Sequence, residues 1–251
     1  MRALILSDIH ANIDALDAVL VEMTSDAYDR LLVLGDLVGY GASPNEVVNR
    51  VYALSPDTII RGNHDKVAAG IEEPEHFNPV AAEAARWTFE TLSDSNLKRV
   101  TELPVGPVRV TDEIEVCHGT PYDEDVYVFD HDDAILALAS ASGRLCFFGH
   151  THVPVVYSMP SHPAQLEVLT PELGARNPTV IQLDPDRQHL INPGSVGQPR
   201  DGDPRAAYGI YDSAKNHVEL RRVPYRVDLA QERITAAGLP DALARRLGVG
   251  R

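Results

Sequence analysis

Nine side chains carry the chemistry that this sequence could do. They are Asp8 and His10 in SDIH, Asp36 in GDLVGYG, Asn63, His64 and Asp65 in RGNHD, His118 in CHG, and His150 and His152 in FFGHTH. Imidazole, carboxylate and amide oxygen without thiolate form a donor set that suits Mn, Fe, Zn, Co or Ni better than Mg or Ca alone. Singly, each residue has an ordinary explanation. Asp8 or Asp36 could cap a helix, Asn63 could hold a turn, and His118 could be structural. Most His-x-His pairs in loops bind nothing. Jointly, three carboxylates, one amide and five imidazoles at strand ends are a costly concentration of polar groups unless something pairs them.

The elements that must position them follow from hydropathy. Ala3 to Leu6 reads as a strand, Ile13, Leu16, Leu20 and Met23 keep helical spacing, and Leu31 to Leu34 is a second strand. Ser43-Pro44-Asn45-Glu46 fits a capping box opening a helix with Val47, Val48, Val51 and Leu54 on its apolar face, and Thr58 to Ile60 is a third strand. Such alternation implies parallel pairing, with the ligand site beyond the carboxyl ends of the strands. Asn78-Pro79 opens a further helix through Trp87 to about Leu92.

Beyond Pro104 the texture changes to short strands at Val108–Val110, Ile114–Cys117, Leu145–Phe148, Val153–Tyr157, Val180–Leu183, Ala207–Tyr211 and Val218–Val223. These suggest a second, mixed sheet packed on the first, giving an α/β fold. Residues 1–251 read as one domain, with surface excursions near 121–143, including the acidic DEDVYVFDHDD, and at 160–178; a solvated loop is the expectation for both. Cys117 and Cys146 each sit in a strand and read as buried, reduced thiols, with Cys117 packed in the core on the face opposite His118. His76, His131, His162, His189 and His217 read as surface or structural residues.

Charge narrows the partners. A net charge of -15 and a pI near 5.0 argue against a broad grip on nucleic acid or an anionic membrane. The N-terminal MRALILSDIH turns polar too soon for a signal-peptide core, so the chain reads as cytoplasmic.

The ordered set DIH, GDLVG, GNHD, CHGTP and GHTH resembles the calcineurin-like metallophosphoesterase superfamily, and INPGSVGQPRD at 191–201 is similar to its compact prokaryotic phosphodiesterase branch. The resemblance covers roughly residues 3 to 201; the last fifty residues add no motif. It implies a two-layer β-sandwich flanked by helices and a dinuclear metal centre. One metal would be held by Asp8, His10, Asp36 and His152, the other by Asp36, Asn63, His118 and His150, with Asp36 bridging. Manganese is the first choice, and Fe, Zn, Co or Ni would serve. It further implies a metal-bridging hydroxide as nucleophile, His64 as general acid, Asp65 orienting that imidazole, and a small phosphoester as substrate. By position alone Asp65 could equally be a turn or cap residue.

Arg200, just after the turn Gly194–Gly197, could reach a phosphate oxygen together with Asn63, or could form an ion pair with Asp201 or Asp203. Protein Ser/Thr phosphatases carry Arg where this chain has Tyr40, and another just after GNHE, where it reads DKV. The departure points away from phosphoproteins towards a phosphodiester. A phosphomonoesterase or protein phosphatase, and a non-catalytic scaffold on the same fold, are the competing readings.

Overall fold

In the computed structural model, residues 1–24, 27–160, 166–172, 174 and 178–251 are described. His162 lies outside them. The first third is β1 (Arg2–Leu6), α1 (Ile13–Met23), β2 (Arg30–Val33), α2 (Pro44–Ala53), β3 (Thr58–Ile59) and α3 (Asn63–Ala68). Then come α4 (Pro79–Thr91), α5 (Asp94–Thr101), β4 (Val108–Arg109), β5 (Ile114–Val116), α6 (His131–Ser140), β6 (Leu145–Phe147), β7 (Val155–Pro160) and β8 (Glu167–Leu169). The chain continues through β9 (Thr179–Gln182), β10 (Arg187–Asn192), β11 (Ala206–Asp212), β12 (His217–Val223), α7 (Val227–Ala236) and α8 (Asp241–Leu247).

The strands form two six-stranded mixed sheets, ordered β3-β2-β1-β11-β12-β9 and β4-β5-β6-β10-β7-β8. The period-2 alternation of β1 shows why they stack. Ala3 and Ile5 join Leu32, Phe147, Val156 and Ile191 in the layer between the sheets, while Leu4 and Leu6 pack with Leu16 and Val47 under the helices. Beyond the second sheet, Ala134, Ala137 and Leu138 of α6 cover Cys146, Phe148 and Leu190. The α/β sandwich of two packed mixed sheets flanked by helices is therefore the observed fold.

Several local expectations change. Strands near 180, 207 and 218 were expected in the second sheet, yet β9, β11 and β12 complete the first. The reason is that β11 pairs antiparallel with β1, from Arg2 opposite Asp212 to Ile5 opposite Gly209, filling the side of β1 that β2 leaves open. Ser43 makes no side-chain cap, and proline at the first helical position opens α2 without it. Asn78 does cap α4, accepting from Ala81 N at 3.0 Å. The excursion near 121–143 contains α6, capped reciprocally by Asp130 and Asp133, rather than solvated loop alone. The polar RQHLIN segment is β10, a buried central strand whose His189 Nε2 lies 3.0 Å from the Asp184 carbonyl. No helix among the described residues is long and apolar enough to cross a membrane.

β1, β2 and β3 run parallel, as do β5 and β6, so the polar segments that follow them gather at the strand carboxyl ends.

Candidate metal centre

Chain direction must reverse abruptly after each of these strands, and the backbone shows the cost. Asp8 (φ 53°), His10 (48°), Asp36 (52°), His150 (65°) and His152 (61°) all occupy the left-handed region, which side chains with a Cβ rarely adopt. Strain of this kind persists only where the surroundings over-determine it, and it clusters at functional sites. In GHTH it bends the chain away from strand geometry, so His150 and His152 reach different groups of side chains.

One group is Asp8, His10, Asp36 and His152; the other is Asp36, His118 and His150. All are buried, and within each group one potential ligand atom per residue lies within 4.8 Å of the others. Asp36 belongs to both: its Oδ2 is 3.4 Å from His10 Nε2 and 3.4 Å from His118 Nε2. Asn63, whose amide oxygen sits 3.1 Å from His118 Nε2, stands beside the second group.

Hydrogen bonds aim these atoms. His10 Nδ1 lies 3.1 Å from Val38 O, His118 Nδ1 2.8 Å from Leu34 O, and His152 Nδ1 2.6 Å from Gln198 O. A carbonyl only accepts, so each Nδ1 carries a proton; the rings of His10 and His152, kept neutral by burial, present the Nε2 lone pair inward, the tautomer a metal requires, whereas His118 also holds a proton on Nε2, towards Asn63 Oδ1 and Asp36, that a metal ion there would displace. His10 and His152 then bring two lone pairs to 3.1 Å from each other, an arrangement that a shared cation resolves. Each carboxylate is likewise pinned by one oxygen. Asp8 Oδ1 accepts from His150 N at 3.1 Å and Asp36 Oδ1 from His64 N at 2.8 Å, while the buried Oδ2 of both has no hydrogen-bond partner. Unpartnered buried carboxylate oxygens beside bare imidazole nitrogens fit a divalent cation.

The electrostatics agree. Burial pushes Asp8 up to about 6 and holds His10, His150 and His152 well below the ordinary histidine range. Burial opposes charge on Asp36 and His118 too, but their attraction prevails: Asp36 is held low and His118 is raised to about 10.

Two glycines permit the close approach. A Cβ at Gly62 would fall 2.2 Å from Asp36 Oδ1 and 2.5 Å from Asp36 N, and one at Gly149 2.0 Å from Ser7 Oγ. Gly62→Ala should therefore displace the Asp36 loop, costing about 1–3 kcal/mol of stability and weakening metal retention. Melting temperature and elemental analysis check both.

The NPGSVGQPR segment returns to the site as a buttress. Asn192 Nδ2 donates to Gly149 O at 2.7 Å, Ser195 Oγ to Asp8 O at 2.8 Å, and Gly197 N to Asp8 O at 3.0 Å. Arg200 makes no ion pair with Asp201, which binds Arg222, or with Asp203, which binds Arg205. Its guanidinium instead donates to Gln198 Oε1 at 3.2 Å and Tyr40 Oη at 3.4 Å.

His64 belongs to neither group. Its ring lies between Tyr40 and Phe77, with centroids 4.2 and 4.5 Å away, and its Nδ1 is buried without a partner. The expected bond from Asp65 is not made. Asp65 accepts from Gly62 N at 3.0 Å and Val38 N at 3.1 Å, tying the two ligand loops together. Both residues lie on α3, and adjacent helical side chains do not face each other.

The acidic loop supplies residues that the sequence did not reveal. Tyr127 stacks on His150 with centroids 3.7 Å apart, and the Asp125 carbonyl lies 3.1 Å from His150 Nε2. Glu124 and Asp125 also neutralise Arg61 and Lys66. Cys117 and Cys146 are buried free thiols with sulfurs 3.6 Å apart, on the core side as expected.

A sandwich of this topology with two convergent His and Asp groups at its strand ends defines a metal-binding phosphoesterase class. The calcineurin-like phosphoesterase superfamily domain matches residues 1–216, and the chain belongs to that superfamily. It is 36% identical over 253 residues to an uncharacterised protein of Methanocaldococcus jannaschii, covering 98% of this chain and 97% of that one. A metallophosphoesterase from Sphaerobacter thermophilus is 37% identical, with a TM-score of 0.84 over 100% of this chain and 99% of its own. A hypothetical protein from Pyrococcus horikoshii shares the fold at 19% identity and a TM-score of 0.77, covering 100% and 98% of the two chains.

Proposed function

We propose that this protein is a phosphodiesterase of the compact prokaryotic type, hydrolysing a nucleotide or another small phosphate ester. Asp8, His10, Asp36 and His152 would hold one divalent transition-metal ion, and Asp36, Asn63, His118 and His150 a second, with manganese the first choice. Two such ions, when bound, neutralise phosphate charge and make water nucleophilic at neutral pH. The observation that carries this reading is Asp36 Oδ2, equidistant at 3.4 Å from a histidine of each group.

His64 then serves the leaving group. Its Nδ1 has no acceptor within reach, so the neutral ring keeps its proton on Nε2. Burial lowers its pKa to about 4, and an anionic phosphate beside it acts in the opposite direction. The ring lines a cavity of about 370 Å³ together with Tyr40, Phe77, Tyr127 and His150, which suits a leaving group the size of a nucleoside. Lys66, on the same wall, is already paired with Glu72, Glu124 and Asp125, so it is not a free cation for a phosphorylated peptide.

Arg200 is assigned to a phosphate oxygen, now that no carboxylate competes for it. Arg200→Ala should raise KM for phosphoesters about tenfold without loss of metal, the effect of removing one charge-assisted hydrogen bond. Steady-state kinetics with elemental analysis decide it, and an unchanged KM would rule the contact out. The function itself is tested by turnover of bis-p-nitrophenyl phosphate and p-nitrophenyl phosphate with Mn, Zn or Mg. Faster cleavage of the diester is expected, and no turnover with any metal would leave a scaffold.

A further inference from the structure

Tyr40 stands where the metal centre meets the C-terminal helices, and the charges around it exceed what one phosphate needs. Arg200 Cζ lies 5.8 Å from its ring centroid and Arg246 Cζ, carried by α8, 5.6 Å. The nearby carboxylates are occupied elsewhere: Asp201 with Arg222, Asp203 with Arg205, Asp241 with Arg245. The Arg200 guanidinium donates to the neutral oxygens of Tyr40 and Gln198 and also interacts with Tyr127, and its buried Nε has no hydrogen-bond partner among the described residues. Arg246 Nε donates to the Arg251 carbonyl.

In a chain with 37 acidic and 22 basic side chains, carboxylates to neutralise such a pair are plentiful, yet among the described residues no Asp or Glu side chain forms an ion pair with either guanidinium. The two cations are held together against their repulsion. Burial and Arg200 both lower the pKa of Arg246, and both guanidinium charges reach His64. Packing fixes the arrangement: Leu243, Ala244 and Leu247 of α8 are buried in one cluster with Tyr40, Ala81 and Ala84.

We propose that Arg246 holds a second phosphate group, linked to the one that Arg200 contacts, so that the preferred substrate carries two linked phosphates, as nucleoside diphosphate esters and dinucleoside polyphosphates do. The inference rests on the phosphoesterase reading of the adjoining centre. A guanidinium meets phosphate through a planar fork of donors, and a second fork beyond the metal centre is of use only if a second anionic group lies there. An isolated diester, with one negative charge, offers nothing for it to hold.

The test is equilibrium binding of methylenediphosphonate, which lacks a hydrolysable P–O–P bridge, and of methylphosphonate to the manganese-loaded protein, with metal content measured after each titration. Wild type should prefer the diphosphonate by at least about tenfold, and Arg246→Gln should reduce that preference to below about threefold. Arg246→Lys, which keeps the charge but loses the fork, should fall between them. A wild-type ratio near one, or a ratio unchanged in the folded Gln or Lys variant, would overturn the role of Arg246. The two readings fail separately. Diester turnover with a flat binding ratio removes only that role, whereas tight diphosphonate binding without turnover of any ester removes only the phosphoesterase reading.

Discussion

Asp36→Asn should abolish turnover and strip both cations, because one carboxylate oxygen faces histidines of both groups and no other side chain belongs to both. Replacing O⁻ by NH₂ removes an anionic donor and places N–H groups against bare imidazole nitrogens or any cation there. Loss should exceed about 10³-fold in kcat, since charge neutralisation and water activation fail together. His152→Ala should act more narrowly, emptying the group that contains Asp8 and His10 and sparing the one that contains His118 and His150. Elemental analysis of the purified variants separates the two. Full occupancy of two ions in Asp36→Asn would end the bridging assignment.

His64→Ala should retain both ions and the fold while lowering kcat by about 10²- to 10⁴-fold on demanding substrates. The size of the loss should depend on what departs. p-Nitrophenolate leaves without a proton, whereas the alkoxide of an alkyl or ribose ester is far more basic and needs one in the transition state. The variant should therefore be mildly impaired on p-nitrophenyl esters and severely impaired on alkyl esters. If His64 merely supports the loop carrying Asn63, both ester types would suffer equally and metal would be lost. Measuring kcat for the two leaving groups beside metal content distinguishes these outcomes.

The candidate ligand residues were legible because each follows an apolar strand within two to five residues, and strand ends of parallel sheets gather by topology. GHTH also announced its bend, since a glycine interrupts an apolar run before two polar residues. What sequence could not convey depended on pairing over long distances. Alternation identifies a strand but not its neighbour, so β11 and β12 read as part of a second sheet until β1 was seen to take β11 as its partner. β10 was hidden because Arg187, Gln188 and His189 break the apolar pattern in a strand that is buried between β6 and β7. Tyr127 and Arg246 sit in segments without motif, and only folding brings them to His150 and Tyr40. Adjacency in sequence misled once, at Asp65, where helical geometry turned neighbours apart.

The pairing of β1 with β11 also sets a timetable. Arg2 meets Asp212 in register, so the centre of the first sheet joins segments about two hundred residues apart. During vectorial synthesis, β1, β2 and β3 emerge early and can associate, but the open side of β1 waits until nearly the whole sandwich has been made. Contacts of such span are slow to form, because the intervening loop must close before any of them is gained. Meanwhile Ala3, Leu4 and Ile5 line an unpaired apolar edge that a second nascent chain could occupy. Safe biogenesis of this protein thus depends on how long that edge stays shielded after it leaves the ribosome.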